Sequence, residues 1–404
     1  MLAEIGDVKD ARESNIKVSV AVPRLRALGM ALGYVAGWLA LWHASSALSV
    51  AAGISLWYPT AGLTFALLLD CGWRALPLPV FASLLAGLSI WPWEQWPYCL
   101  AANLLTALGY AATAGAMRHY RPSLGVREQW RFNDTRQVTA FLAATAVGAL
   151  CAALVDAWAL KAAGLMSPQT PLPLAALGRW TGNFVGIATF APLILVLGGA
   201  LARGSRKARP PRPVSVLRAI GRSVGRVALV QGLLSALLLA GLFWAPYQFW
   251  QAPPNPFLLL LLLPVLVWIA ATHGVRGAVA TVFLYELGIA IMVLALGSAD
   301  LALQYQIVMA TVAASGLLTG AVSHERLTST ALFRDLAEIS NDVLWEFDAA
   351  GRLRDLRGKR VRSVEPREIR FGVSWRDLIV AQDQDTDLAA LRIAIRQRRP
   401  FQQL

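Results

Sequence analysis

Long apolar segments alternate with short polar loops through most of this chain. Several segments approach the length of about 20 residues that a helix needs to cross the hydrocarbon core of a bilayer. The pattern predicts about ten segments. Their approximate limits are 25–54, 59–72, 76–92, 98–118, 137–163, 177–201, 225–247, 256–272, 275–297 and 301–322. Because several are short, we expect a helical membrane bundle with about eight to ten transmembrane helices.

Polar segments flank the predicted bundle. Residues 1–24 are polar and of mixed charge, which predicts a cytoplasmic N-terminal arm. Residues 323–341 form a polar helix-forming segment, in which Leu332, Leu336 and Ile339 would make one apolar stripe. This segment is interpreted either as a dimeric signalling helix and linker or as an amphipathic helix that packs on the domain after it.

The segment 342–404 has a different character and is predicted to be α+β. Val343, Trp345 and Phe347 alternate with their neighbours, and a turn through Gly351 leads to a second alternating stretch. This pattern is typical of a β-hairpin. Two short helices are predicted further on, at 375–379 and 387–396.

Composition and charge agree with a membrane protein. Of the residues, 56% are hydrophobic and 15% are charged, whereas soluble domains carry about 25% charged residues. The net charge of +13 is concentrated in alternate loops, above all 203–226, as the positive-inside rule predicts. We therefore expect both termini in the cytoplasm and no nucleic-acid partner, although the basic loop could also bind anionic lipid headgroups.

The residues that carry most enzyme and metal chemistry are sparse. Three cysteines and four histidines lack the paired spacing of a disulfide framework or a metal site. Neither a nucleophile–base pattern nor a phosphate-binding loop is present in the sequence. We predict no catalytic residues, no metal and no cofactor, and no catalytic domain within these residues.

Ionisable groups inside a membrane are costly, so each is a candidate functional residue. Asp156 lies toward the outer end of the fifth segment, and Arg179 begins the sixth from the same side, with Asn183 one turn deeper. An ion pair between Asp156 and Arg179 is compatible with this placement, either as a structural clamp or as part of a ligand site. Glu286 lies near the middle of the ninth segment and is a further candidate ligand-binding residue.

The turn Leu56–Gly62 lies where the second segment enters the bilayer from the outer side. Trp57 and Tyr58 have the amphipathic rings that favour the headgroup layer, and Pro59 suits the first turn of a helix. The turn is interpreted either as an interfacial anchor or as one wall of a ligand-binding sensory site.

Three stretches resemble the membrane-associated sensor domain of the first class (MASE-one), over roughly residues 25–322. They are 56–63, 178–193 and 263–277. Tyr58 departs from the family pattern, which often has proline there, and Asn183 stands where aspartate is common. The resemblance implies a sensory input module that precedes a bacterial signalling output domain.

The segment 332–401 resembles the beginning of a PAS domain, so 342–404 would be an incomplete PAS domain. About three strands of its sheet would be missing, so we expect this part to be poorly ordered alone. The resemblances imply an output domain beyond these residues, either a diguanylate cyclase or phosphodiesterase or a histidine kinase. They also imply a bacterial inner membrane location, a homodimer and an unknown small-molecule or membrane stimulus. A transporter or channel, or a membrane-embedded enzyme, is the alternative.

Overall fold

The computed structural model describes residues 28–47, 49–51, 54–119, 130, 132–166, 170–205, 226–250, 255–296, 301–339, 344–347, 350 and 352–357. The predicted N-terminal arm, most of the basic loop and the predicted helices at 375–379 and 387–396 lie outside these residues. The chain divides into two compact units, Met1–Glu325 and Arg326–Leu404.

The described part is predominantly helical, which confirms the predicted helical membrane fold. The first helix, α1, covers residues 28–47. The other helices are α2 (Pro59–Cys71), α3 (Pro77–Gly87), α4 (Trp96–His119), α5 (Thr135–Ala162), α6 (Leu172–Ser205), α7 (Arg226–Trp250), α8 (Leu263–Leu296) and α9 (Ala302–Ile339). Short 3-10 helices at Gly72–Ala75, Trp93–Gln95 and Pro256–Leu262 precede α3, α4 and α8. A short antiparallel pair, β1 (Ser49–Ala51) and β2 (Ile54–Ser55), precedes the turn before α2.

Within the described residues, 5 helices are long and apolar enough to cross a membrane, or 6 if α2 and α3 together count as one span. The predicted count of eight to ten is higher because it also includes α1 and α6, takes α2 and α3 separately and divides Pro256–Leu296 into two segments. The longest of these helical stretches, Pro256–Leu296, has 41 residues, which corresponds to about 60 Å of helix. Its backbone breaks at Gly274, where φ is 62° and ψ is −154°, so the stretch consists of two helices joined at the predicted boundary.

Helices α2 and α3 form a bent pair that reverses direction. The axes of Pro59–Ala75 and Pro77–Gly87 differ by 114°, and Gly72, at the C-terminal end of α2, has a positive φ of 72°. A guanidinium N–H of Arg118, near the end of α4, donates to the Asp70 carbonyl at 3.1 Å beside this turn. The end of α2 and the end of α4 therefore lie at the same end of the bundle.

Close backbone packing joins α2 to α6. A Cβ at Gly186 would collide with the carbonyl of Tyr58, and a Cβ at Gly62 would collide with the carbonyl of Gly186. Together with Gly182, whose Cβ would meet the Ser55 carbonyl, these glycines form a small-residue surface of the kind that lets membrane helices approach closely. The turn Leu56–Gly62 is therefore held directly against α6.

The second unit contains the predicted hairpin. Strand β3 (Leu344–Phe347) pairs antiparallel with β4 (Leu353–Arg357), and Trp345 lies opposite Leu356. The hairpin agrees with the alternating pattern of the sequence. The remaining part of the predicted PAS-like segment, 358–404, lies outside the described residues.

Candidate functional site

A cavity of about 540 Å³ lies at one end of the bundle. Six helices contribute to its wall: α1 and α5 with residues in their C-terminal halves, α3 along most of its length, and α2, α4 and α6 with residues in their N-terminal parts. Since Tyr58 before α2 and Trp91 after α3 both line it, the bent pair returns to the end of the bundle from which it starts. The alternating helix directions therefore bring six chain segments to one place.

Aromatic side chains form one side of the cavity. Trp38 and Trp42 of α1 and Trp91 after α3 line it. The indole N–H of Trp38 donates to Thr64 Oγ1 at 3.1 Å, and the Tyr34 hydroxyl lies 3.2 Å from the same oxygen. The Trp38 ring is thus fixed against α2 at the cavity wall.

Opposite charges enter the cavity from two neighbouring helices. Asp156 of α5 and Arg179 of α6 both line it, together with Asn183 one turn further along α6. Thr106 on α4 donates to Asp156 Oδ1 at 3.1 Å. The predicted direct ion pair is absent among the described residues. Asp156 and Arg179 attract each other across the site, but the buried Nε of Arg179 has no hydrogen-bond partner within the described part.

Two tyrosines complete the polar side of the cavity. Tyr58, in the turn before α2, and Tyr110 of α4 both line it. Tyr110 is 3% exposed, and its hydroxyl has no hydrogen-bond partner in the described part of the chain. Tyr110 is not among the predicted site residues, because a tyrosine in an apolar helix does not by itself indicate a site.

Three other predicted site residues lie away from the cavity wall. Trp57 is buried and packs its ring against Phe283 of α8, with 5.8 Å between ring centroids. Pro59 begins α2 and is buried. Glu286 of α8 is 0% exposed, and neither carboxylate oxygen has a hydrogen-bond partner among the described residues. The cavity therefore unites Tyr58, Asp156, Arg179 and Asn183 but leaves out Trp57, Pro59 and Glu286.

Gln306 of α9 connects the last helix of the bundle to the cavity wall, and it is not among the site residues predicted from the sequence. It is 0% exposed, and its amide nitrogen donates to the carbonyls of Ser55 and Gly178 at 3.0 Å each. Thr181 donates to its amide oxygen at 2.6 Å. A buried amide in an apolar helix needs polar partners. The presence of a glutamine in this apolar segment could therefore have indicated a polar contact between helices.

At the opposite end of the bundle, α9 is joined to α5. The backbone N–H of Thr135, the first residue of α5, donates to Glu325 Oε1 of α9 at 2.7 Å. Asp134 accepts from the next backbone N–H, that of Arg136, at 2.9 Å. Carboxylates at a helix N-terminus satisfy its free N–H groups and interact favourably with its dipole.

Within the described residues, no group of three or more His, Cys, Asp or Glu side chains is arranged to hold a metal ion. The cavity offers one carboxylate, one guanidinium, amide and hydroxyl groups and indole rings. This combination can bind a small polar ligand by hydrogen bonds, charge and ring contacts.

The MASE1 family model matches residues 27–327 of the chain. No curated protein and no solved structure matches it. The matched region contains helices α1 to α8, the cavity and the part of α9 that precedes residue 328. The chain therefore belongs to the MASE1 family of membrane sensor domains.

Proposed function

We propose that the chain is the sensory input module of a bacterial signal-transduction protein, located in the inner membrane. In this proposal a small molecule enters the cavity from the outer face, and its binding changes the position of α9. The observation that carries the proposal is the set of hydrogen bonds from Gln306 to the Ser55 and Gly178 carbonyls. Ser55 lines the cavity, and Gly178 directly precedes Arg179.

The relay requires two arrangements of the bundle that differ in their affinity for the stimulus. Gln306 attaches α9 at the cavity end, and Glu325 attaches it to α5 at the opposite end. Helix α5 also carries Asp156 into the cavity. A ligand that moves α5 or α6 would therefore act on α9 through both attachments.

We further propose that α9 passes this movement into an incomplete PAS domain at 342–404, and from there to an output domain. A diguanylate cyclase or phosphodiesterase, or a histidine kinase, would serve as that output. The hairpin formed by β3 and β4 is compatible with the beginning of a PAS sheet. The chain would act as a homodimer with both termini in the cytoplasm. Each copy would cross the membrane with eight to ten helices.

The relay can be tested by fusing a diguanylate cyclase domain behind residue 404 and measuring cyclic di-GMP in cells. Gln306→Leu removes three hydrogen bonds, each worth about 0.5–1.5 kcal/mol. We expect output to change by about tenfold or more, because the balance between the two arrangements shifts. Thr311→Val, on an exposed face of the same helix and bonded to its own turn through the Ile307 carbonyl, is the matched control.

Equal output from the wild type and the Gln306→Leu variant, at equal amounts of membrane protein, would contradict the relay. The result would be equally adverse if Thr311→Val had the same effect as Gln306→Leu. Either outcome would show that the hydrogen bonds of Gln306 only support the fold.

A transporter or channel is the alternative, and the charged cavity among the helices is the observation in its favour. Ionisable residues inside a membrane bundle also mark substrate pathways. Uptake of a cavity ligand by proteoliposomes, lost in Asp156→Asn, would favour transport. Binding without uptake would favour the sensor.

A further inference from the structure

We propose that the cavity binds a small zwitterion of the amino-acid or short-peptide class, with its ammonium group at Asp156 and its carboxylate at Arg179. This inference rests on the proposed function, because it names the ligand of the same cavity. It starts from the separate placement of two opposite charges, which line one cavity without forming a direct ion pair in the described residues.

The two charged groups have hydrogen-bonding capacity to spare. A carboxylate can accept about four hydrogen bonds and a guanidinium has five N–H donors. Asp156 accepts one hydrogen bond from Thr106, while the buried Nε of Arg179 has no hydrogen-bond partner in the described part of the chain. A buried group of this kind is costly unless a ligand or water completes its hydrogen bonds.

The charge balance of the site favours a zwitterion over ligands with a single charge or none. A purely anionic ligand would satisfy Arg179 but would be repelled by Asp156, and a purely cationic one would have the opposite conflict. A neutral ligand would give neither Asp156 nor Arg179 an ionic partner in direct contact. A zwitterion satisfies both, and bidentate pairing of its carboxylate with Arg179 would orient it.

The remaining wall suits the rest of such a molecule. Asn183 and Tyr110 offer an amide and an unpartnered hydroxyl near the charges. Trp38 and Trp42 offer indole faces, which attract ammonium groups and apolar side chains alike. The cavity volume of about 540 Å³ falls in the usual range for small-ligand sites and leaves room for a large side chain or a second residue.

The test uses the full chain in lipid nanodiscs, and ligand binding is followed by the shift in the thermal unfolding midpoint. The first probes are the common amino acids, which cover the proposed ligand class, and their glycyl dipeptides. The second set consists of analogues of the best probe that lack either the carboxylate or the amine. For phenylalanine these are phenethylamine and 3-phenylpropionate.

We expect at least one zwitterion to bind and both of its analogues to bind about tenfold more weakly or worse. Asp156→Asn should remove the preference for the zwitterion over the carboxylate-only analogue. Arg179→Gln should remove the preference over the amine-only analogue. Glu94→Gln and Lys161→Gln remove one exposed charge each outside the cavity wall and should leave binding unchanged.

The proposal is overturned if no probe binds at millimolar concentration, or if either analogue binds as well as the parent zwitterion. Because the wild-type ranking of the three probes needs no variant, loss of folded Asp156→Asn or Arg179→Gln protein does not weaken the test. Failure here, combined with a clear effect of Gln306→Leu on output, would reject the zwitterion and keep the sensory relay. If a zwitterion binds as expected but Gln306→Leu leaves the output unchanged, the ligand site is kept and the relay is rejected.

Discussion

Gly186 shows most directly how a single residue shapes the candidate site. It lies on α6 where the Tyr58 carbonyl approaches the helix, and a Cβ at this position would overlap that carbonyl. Because the obstructing atoms belong to backbone, a rotamer change cannot relieve the clash. The turn Leu56–Gly62 can therefore reach its position beside the cavity only while residue 186 lacks a side chain.

We predict that Gly186→Ala destabilises the bundle by about 1–3 kcal/mol, the usual cost of overpacking. The unfolding midpoint in mixed detergent micelles measures this. The matched control is Gly198→Ala in the same helix, where an added Cβ would meet nothing within 4 Å. Equal stability of the Gly186→Ala variant and the wild type would show that α2 and α6 are not packed as closely as described.

Glu286 presents the opposite case, a buried polar residue for which the described part provides no hydrogen-bond partner. It lies on α8 between Tyr285 and Leu287 and is fully buried. Removing a buried unsatisfied polar group in favour of an apolar side chain of similar size is often stabilising. Glu286 does not line the cavity. Its predicted role in ligand binding is therefore a prediction independent of the cavity.

We predict that Glu286→Met raises the free energy of unfolding by about 1–3 kcal/mol, measured by denaturation in mixed micelles. Glu94→Met, an exposed position before α4, should change stability by no more than about 0.5 kcal/mol. A clear loss of stability in Glu286→Met would mean that the carboxyl group is bonded in the native protein, and the ligand role would gain support.

At the scale of elements, the N-terminus of α5 is the joint between a cavity helix and α9. Two carboxylates satisfy its first N–H groups, Asp134 from the preceding residue and Glu325 from α9. Only the second crosses between helices. Both caps should contribute to the order of α5, but only Glu325 should also restrain α9.

Glu325→Ala is therefore expected to speed amide hydrogen exchange in the first turn of α5 by about fivefold, for a lost cap of about 1 kcal/mol. Exchange in α9 around residue 325 should rise as well. Asp134→Ala is the comparison variant and should affect α5 alone. If Glu325→Ala and Asp134→Ala change the exchange rates in α9 equally, the result would contradict a specific contact between Glu325 and the N-terminus of α5.

At the scale of the whole molecule, the two ends of the bundle differ in chemistry. The cavity end carries indole rings and the exposed loop residue Glu94. The opposite end carries Arg118 and Arg136, near the joint at Thr135. By the positive-inside rule we expect the second end to face the cytoplasm and the cavity to face outward.

Cysteine labelling checks this orientation. In a chain whose native Cys71, Cys99 and Cys151 are replaced by serine, Glu94→Cys should react with a membrane-impermeant maleimide in intact cells. His119→Cys, at the end of α4, should react only after permeabilisation. The reverse labelling pattern would place the cavity on the cytoplasmic side and would contradict a sensor of external stimuli.

Local properties of the sequence determined the class of this protein. Apolar segment length identifies membrane helices because the bilayer sets that length, and loop charge predicts their direction. The boundary at Gly274 was also readable, since a glycine between two apolar segments commonly marks a break. The similar depth of Asp156, Arg179 and Asn183 followed from helix direction alone, and the cavity brings these three together.

Only the tertiary structure decided which of these groups meet and how. The attachments of Gln306 to Gly178 and of Glu325 to Thr135 join residues 128 and 190 positions apart, and no local pattern specifies such contacts. The same holds for the separation of Asp156 from Arg179 and for the exclusion of Glu286 from the cavity. Helix rotation and backbone approach, governed by glycines such as Gly62 and Gly186, determine which polar side chains share a cavity. Hydropathy reports only that a helix lies in the membrane.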